Sequence, residues 1–76
     1  MFIAETLLFS ERFLWEGKSY AVHIYRHAAQ KERCLHMAET VLGPGDTIIS
    51  DGHSPEEALH KQQIVLPLAI LSRSLL

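Results

Sequence analysis

The chain contains one cysteine, Cys34, so no disulfide can form within it and a secreted disulfide scaffold is excluded. A lone thiol fits the reducing cytoplasm, which is the expected location. Charge of one sign is lacking too. Seven basic and nine acidic residues are interspersed for a net charge of −2, so no long-range positive field draws the chain to nucleic acid, which is not an expected partner. The longest apolar run, residues 64–71, is far short of the roughly 20 residues that a membrane span requires, so no membrane is expected. Residues 1–9 are apolar but carry Glu5 and no basic leader, which argues against a signal peptide. Internal repeats, low-complexity stretches and linkers are missing, which leaves residues 1–76 as one domain.

What is present in quantity is apolar side chain: 47% of residues are hydrophobic against 21% charged. A core in a chain of this size supplies about 3–5 kcal/mol, and such domains usually need a staple, a metal or a partner. No Cys/His cluster has structural zinc spacing, so no cofactor is expected. A second copy of the chain is the expected partner, with an unidentified protein as the other choice.

The strongest local signal is Ser54-Pro55-Glu56-Glu57. Ser54 can accept the amide of Glu57 while Glu57 reaches back to the amide of Ser54, the reciprocal capping box. Pro55 suits the first helical position, and both glutamates sit at the positive end of the helix dipole. Ala58, Leu59, Gln62, Gln63 and Leu66 continue at helical spacing, and Asp51-Gly52 reads as the turn before the helix. Pro67 then either ends the helix near Leu66 or kinks it. Residues 64–71 are apolar on every side, so Ile64, Val65, Leu66, Leu68, Ile70 and Leu71 are the expected dimer interface, with help from residues 2–9.

Upstream, the segments are short and strand-like. Residues 33–42 and 47–50 flank the turn formers Gly43-Pro44-Gly45-Asp46, and residues 11–15 and 19–26 flank Glu16-Gly17-Lys18. Tyr20, Val22 and Ile24 alternate with Ala21, His23 and Tyr25; a helical stripe through Ala21, Ile24, Tyr25 and Ala28 is the competing pattern. If residues 7–9 begin the first strand, Glu11 points inward with Phe9 and Phe13 unless a bulge or break falls near Ser10; residues 2–9 could be strand or helix. Residues 28–32 read as a polar connection. Two hairpins and a helix make an α+β domain of two layers: a mainly antiparallel sheet of about four strands with one principal C-terminal helix.

Five histidines raise the question of metal. His23 and His27 would chelate at i, i+4 on a helix, but on a strand they lie about 13 Å apart. His36, His53 and His60 are unpatterned and read as solvated or half-buried structural histidines rather than ligands. Cys34 lacks any local nucleophile signature and reads as a small hydrophobe on a strand. Gly43-Pro44-Gly45-Asp46 lacks the lysine, the hydroxyl and the helix of a phosphate loop. Arg26, His27, Lys31 and Arg33 gather around one connection and read as a solvated loop. Trp15 and Tyr20 are placed to pair across the first turn.

The stretch Gly45-Asp46-Thr47 followed by Ser54-Pro55-Glu56-Glu57-Ala58-Leu59 resembles the strand-to-helix passage of HicB-like antitoxin domains, in which a sheet precedes a helix opening in Glu-Glu-Ala. The family's Pro-Gly-Cys segment is missing, Cys34 lies elsewhere, and no residue role transfers. The resemblance implies a toxin–antitoxin or nucleic-acid-linked regulator. The expectation that best fits the residues themselves is a small noncatalytic homodimeric interaction or ligand-binding module. A metal- or thiol-dependent enzyme is the third reading, and it lacks a paired acid/base constellation.

Overall fold

A computed structural model describes residues 4–30 and 33–75, with side chains described for 5–27 and 35–75. Strands β1 (Ala4–Trp15), β2 (Lys18–Gln30), β3 (Arg33–Gly43) and β4 (Asp46–Gly52) form one antiparallel sheet in the order β1-β2-β3-β4, followed by helix α1 (Pro55–Ser74). This is the expected α+β arrangement. The two hairpin turns among the described residues follow from their sequences. Glu16 and Gly17 adopt φ of 48° and 78°, the doubly left-handed pair whose twist matches the strands it joins, and Gly17 makes half of that inexpensive. Pro44 and Gly45 form the second turn, with Gly45 at φ 69°.

The strands run longer than local composition implies. Residues 28–30 belong to β2 rather than to a connection, because Ala28 pairs with Ala4 on one side and Cys34 on the other, and ladder bonds outweigh a polar sequence. Val22 and Ile24 are fully buried, which settles the choice for strand over the helical stripe. The ladder slips between Leu7 and Phe9, so a bulge at Leu8 lies two residues before the expected place. It puts Leu7 on the outer face and Phe9, opposite Ile24, on the helix face. Glu11, opposite Val22, still points to the helix face, yet it stays exposed because α1 lies over β4 and β3, meets β2 less and barely reaches β1. Trp15 faces Lys18, and Tyr20 faces Phe13, so the expected direct Trp15–Tyr20 pair is one step out of register; Trp15 instead stacks on Phe13 at 6.3 Å.

Helix α1 starts as its sequence dictates: Ser54 caps it, accepting from the Glu57 amide at 3.1 Å. The return bond differs from the capping-box expectation, since the Glu57 carboxylate accepts from the amide of His53 rather than that of Ser54, at 3.2 Å. Asp51 and Gly52 end β4 instead of forming a turn. Gly52 is needed for close approach: a Cβ there would lie 2.8 Å from the Ala58 nitrogen and 2.9 Å from the Glu57 Cβ. The helix does not stop near Leu66 but runs on through Pro67 to Ser74. The carbonyl that loses its partner there belongs to Gln63, which is exposed, so water can replace the missing N–H. No helix among the described residues is long and apolar enough to cross a membrane.

The core is Val22, Ile24, Ala38, Ala58 and Leu66, with Phe13, Leu42, Ile48, Leu59 and Ile70 packed around it. Two of the five central residues are alanines, which draw helix and sheet together. At their centre sits a buried amide. Gln62 Nε2 donates to Thr40 Oγ1 at 3.0 Å and to the Ile48 carbonyl at 2.9 Å, while its Oε1 accepts from Ser50 Oγ at 2.6 Å. Apolar packing alone would let α1 slide along the sheet; these three bonds fix its position.

Candidate interaction surface

The residues expected at an interface separate into two sets. Leu66 is fully buried within its own chain, and Ile70 is half-buried against the core. Ile64, Val65, Leu68 and Leu71 are 57%, 40%, 67% and 54% exposed. The split follows from helical geometry. Ala58, Gln62, Leu66 and Ala69 form the buried stripe, and at about 100° per residue Ile64, Leu68 and Leu71 emerge on the back. Helix α1 is therefore apolar on two opposing faces.

A second apolar surface lies beside it. Because α1 is displaced toward β4, the helix-side face of β1 has little over it: Phe9 and Trp15 are each 36% exposed, and Phe13 and Tyr20 are half-buried. Between this strand pair and the helix runs a groove of about 440 Å³, bounded by Trp15, Tyr20, Pro67, Leu68, Ile70 and Leu71. Sequence reading missed the groove. Its signal was the alternation of Phe9, Phe13 and Trp15, but that became informative only once the helix was seen to leave β1 uncovered.

The polar residues have local roles. At the far end of α1, Arg73 grips Asp46 with two bonds, Nε to Oδ2 at 2.9 Å and Nη2 to Oδ1 at 2.8 Å. The bonds from Arg73 hold the Asp46 carboxyl below the ordinary carboxylate range. The Glu57 carboxyl is lowered as well, chiefly by the His53 amide and then by the charge of Lys61.

The histidines do not converge. His23 and His27 both lie on β2, as a strand reading requires. Nδ1 of His23 is 2.7 Å from Ser10 Oγ, across β1 and β2. A base beside a hydroxyl can activate a nucleophile, but this pair lies on the open outer sheet face, and a cross-strand polar pair accounts for it. Nδ1 of His27 is 3.3 Å from Glu5 Oε1, but the alignment does not make a hydrogen bond. His36 is on β3, and His53 and His60 are exposed near the helix start. Among the described residues, no three His, Cys, Asp or Glu side chains gather closely enough to hold a metal. The backbone of Cys34 lies in β3, while its side chain, that of Arg33, and Phe2, Ile3 and Lys31 are outside the described residues. Comparison with family models, with curated proteins and with solved structures finds no match to this chain.

Proposed function

We propose that this chain is a small noncatalytic homodimeric module that acts by presenting a surface to protein, first of all to a second copy of itself. The observation that carries this reading is the exposed stripe Ile64, Leu68 and Leu71, with Val65 at its flank, on the back of α1. A soluble monomer scatters single apolar side chains over its surface; four neighbours on one helix face form a patch of the kind that marks an interface.

The stripe alone makes a modest dimer. Fully burying a Leu, Ile or Val gives about 1.5–3 kcal/mol, and these side chains are already partly buried, so each retains roughly 1–1.5 kcal/mol to gain. Eight of them across two copies supply about 8–12 kcal/mol, against the 4–15 kcal/mol that association costs. A firm complex needs further surface.

A reducing compartment, where Cys34 stays a thiol, is the setting we assign. Among the described side chains, which do not include those of Lys31 and Arg33, the placement of basic groups gives the nucleic-acid reading no support. By strand register Arg12 lies on the outer face and Lys18 on the helix face, at one end of the β1–β2 hairpin, while Arg26 lies toward the other end. Lys61 contacts Glu57, and Arg73 is committed to Asp46. Sedimentation equilibrium tests the proposal. Association that Leu68→Asp abolishes, with the far-ultraviolet circular dichroism retained, supports it, and a chain that stays at 8.6 kDa at hundreds of micromolar rejects it.

A further inference from the structure

Two of the unpartnered apolar surfaces among the described residues have the shapes of a helix back and a slot one helix wide. Strands are spaced about 4.8 Å apart, so four of them make a face roughly 19 Å across. A helix with its side chains is about 10–12 Å wide and covers about two strands. Helix α1 lies over β4 and β3 and also buries Val22 and Ile24 of β2, which leaves room for one more helix over β1 and the Tyr20 end of β2. The floor of that room carries Phe9, Phe13, Trp15 and Tyr20.

We propose that this slot is the seat of α1 from a second copy, in a three-layer assembly of two sheets enclosing two helices. The proposal rests on the homodimer reading and specifies which surfaces meet. A two-fold axis parallel to the helices, midway between them, sets the sheets face to face with β4 of each copy across from β1 of the other. Each helix then keeps Ala58, Gln62, Leu66 and Ala69 on its own sheet and lays Ile64, Leu68 and Leu71 on the β1–β2 slot of its partner. The assembly is closed and isologous, and the same contact is made twice.

Three observations favour a second copy over another occupant. One symmetry operation covers the helix back and the slot together, leaving the outer sheet face of Leu7, Leu14, Leu35, Val41 and Ile49 to water. A different protein in the slot would leave the helix back bare as well. The area suffices. Phe9, Phe13, Trp15, Tyr20, Ile64, Val65, Pro67, Leu68, Ile70 and Leu71 each leave on the order of 80 Å² to water, together about 800 Å², which is the standard burial per partner. Hydrogen-bonding groups also match, since an imidazole N–H can donate to a carboxylate. Glu11 is the acid midway along the floor, and His60, one turn before Ile64, is on the helix face that would meet it.

Trp15 is the sole tryptophan, so the unmodified chain reports on its own slot. Iodide quenching of its fluorescence is measured on dilution across the dissociation range fixed by sedimentation. Occupied slots predict a quenching constant at least threefold lower in the dimer than in the monomer. In parallel, Glu11→Cys and Leu68→Cys chains, each carrying Cys34→Ser, are mixed and treated with a short bis-maleimide. A covalent heterodimer, with none from Glu11→Cys mixed with the outer-face control Val41→Cys, supports the arrangement. A dimer whose Trp15 is quenched as readily as in the monomer overturns the slot arrangement and leaves the homodimer standing. A monomer at every concentration overturns both.

Discussion

Gln62 gives the most searching test of how this small core is held. Its side chain is fully buried and makes three hydrogen bonds, to Thr40, Ile48 and Ser50. Replacing it with alanine strands the Ile48 carbonyl and the Ser50 hydroxyl under the helix and opens a cavity between Thr40 and α1. Each buried hydrogen bond contributes about 1 kcal/mol net, and a polar group left buried without a partner costs about 1–3 kcal/mol. The loss in Gln62→Ala therefore comes to about 3–5 kcal/mol. Domain stability is about 0.05–0.15 kcal/mol per residue, or roughly 4–11 kcal/mol here, so the variant sits near the edge of folding. Urea unfolding followed by circular dichroism, at one fixed chain concentration, measures the difference. Thr40→Val alone should cost less, and the double variant should cost less than the sum, because the two share a bond. A Gln62→Ala loss under 1 kcal/mol would refute the claim that this amide fixes the helix on the sheet.

Three further outcomes follow from the same structure. Gly52→Ala should destabilise by about 1–3 kcal/mol through overpacking, since the new methyl meets the helix backbone at Ala58; unchanged thermal unfolding would contradict the close approach. Pro67→Ala should stabilise by up to about 3 kcal/mol by restoring the bond to the Gln63 carbonyl, read as a higher urea midpoint with the same slope. Asp46 and Glu57 both have lowered pKa values in the folded chain, so the unfolded chain binds protons first and stability falls as pH drops through about 4 and below. Asp46→Asn should flatten part of that acid limb, and an unchanged profile would contradict the role of the Arg73 contact.

The parts legible in the sequence were those governed by neighbours along the chain. Ser54, Pro55 and the two glutamates specify a helix start through short-range bonds, and Pro44-Gly45 and Glu16-Gly17 specify turns through backbone conformation. What the sequence hid depends on partners far away in it. Residues 28–30 look like a connection until β1 and β3 are placed on either side of them. Gly52 looks like a turn former until the helix start is laid against it. Pro67 reads as a stop or a kink because its own turn loses a bond, and packing of Leu66, Ala69 and Ile70 on the sheet decides against the stop. The same limit applies to the surface. The apolar run at 64–71 was visible, but which of its members turn inward is set by where Gln62 anchors the helix. The aromatic slot exists because α1 rests on β3 and β4.

The central claim is that the back of α1 is an interface. Sedimentation equilibrium over a range from micromolar to hundreds of micromolar tests it most directly. The account predicts a mass rising to twice 8.6 kDa for the unaltered chain, and a folded species at 8.6 kDa for Leu68→Asp. An unaltered chain that remains at 8.6 kDa throughout would contradict it.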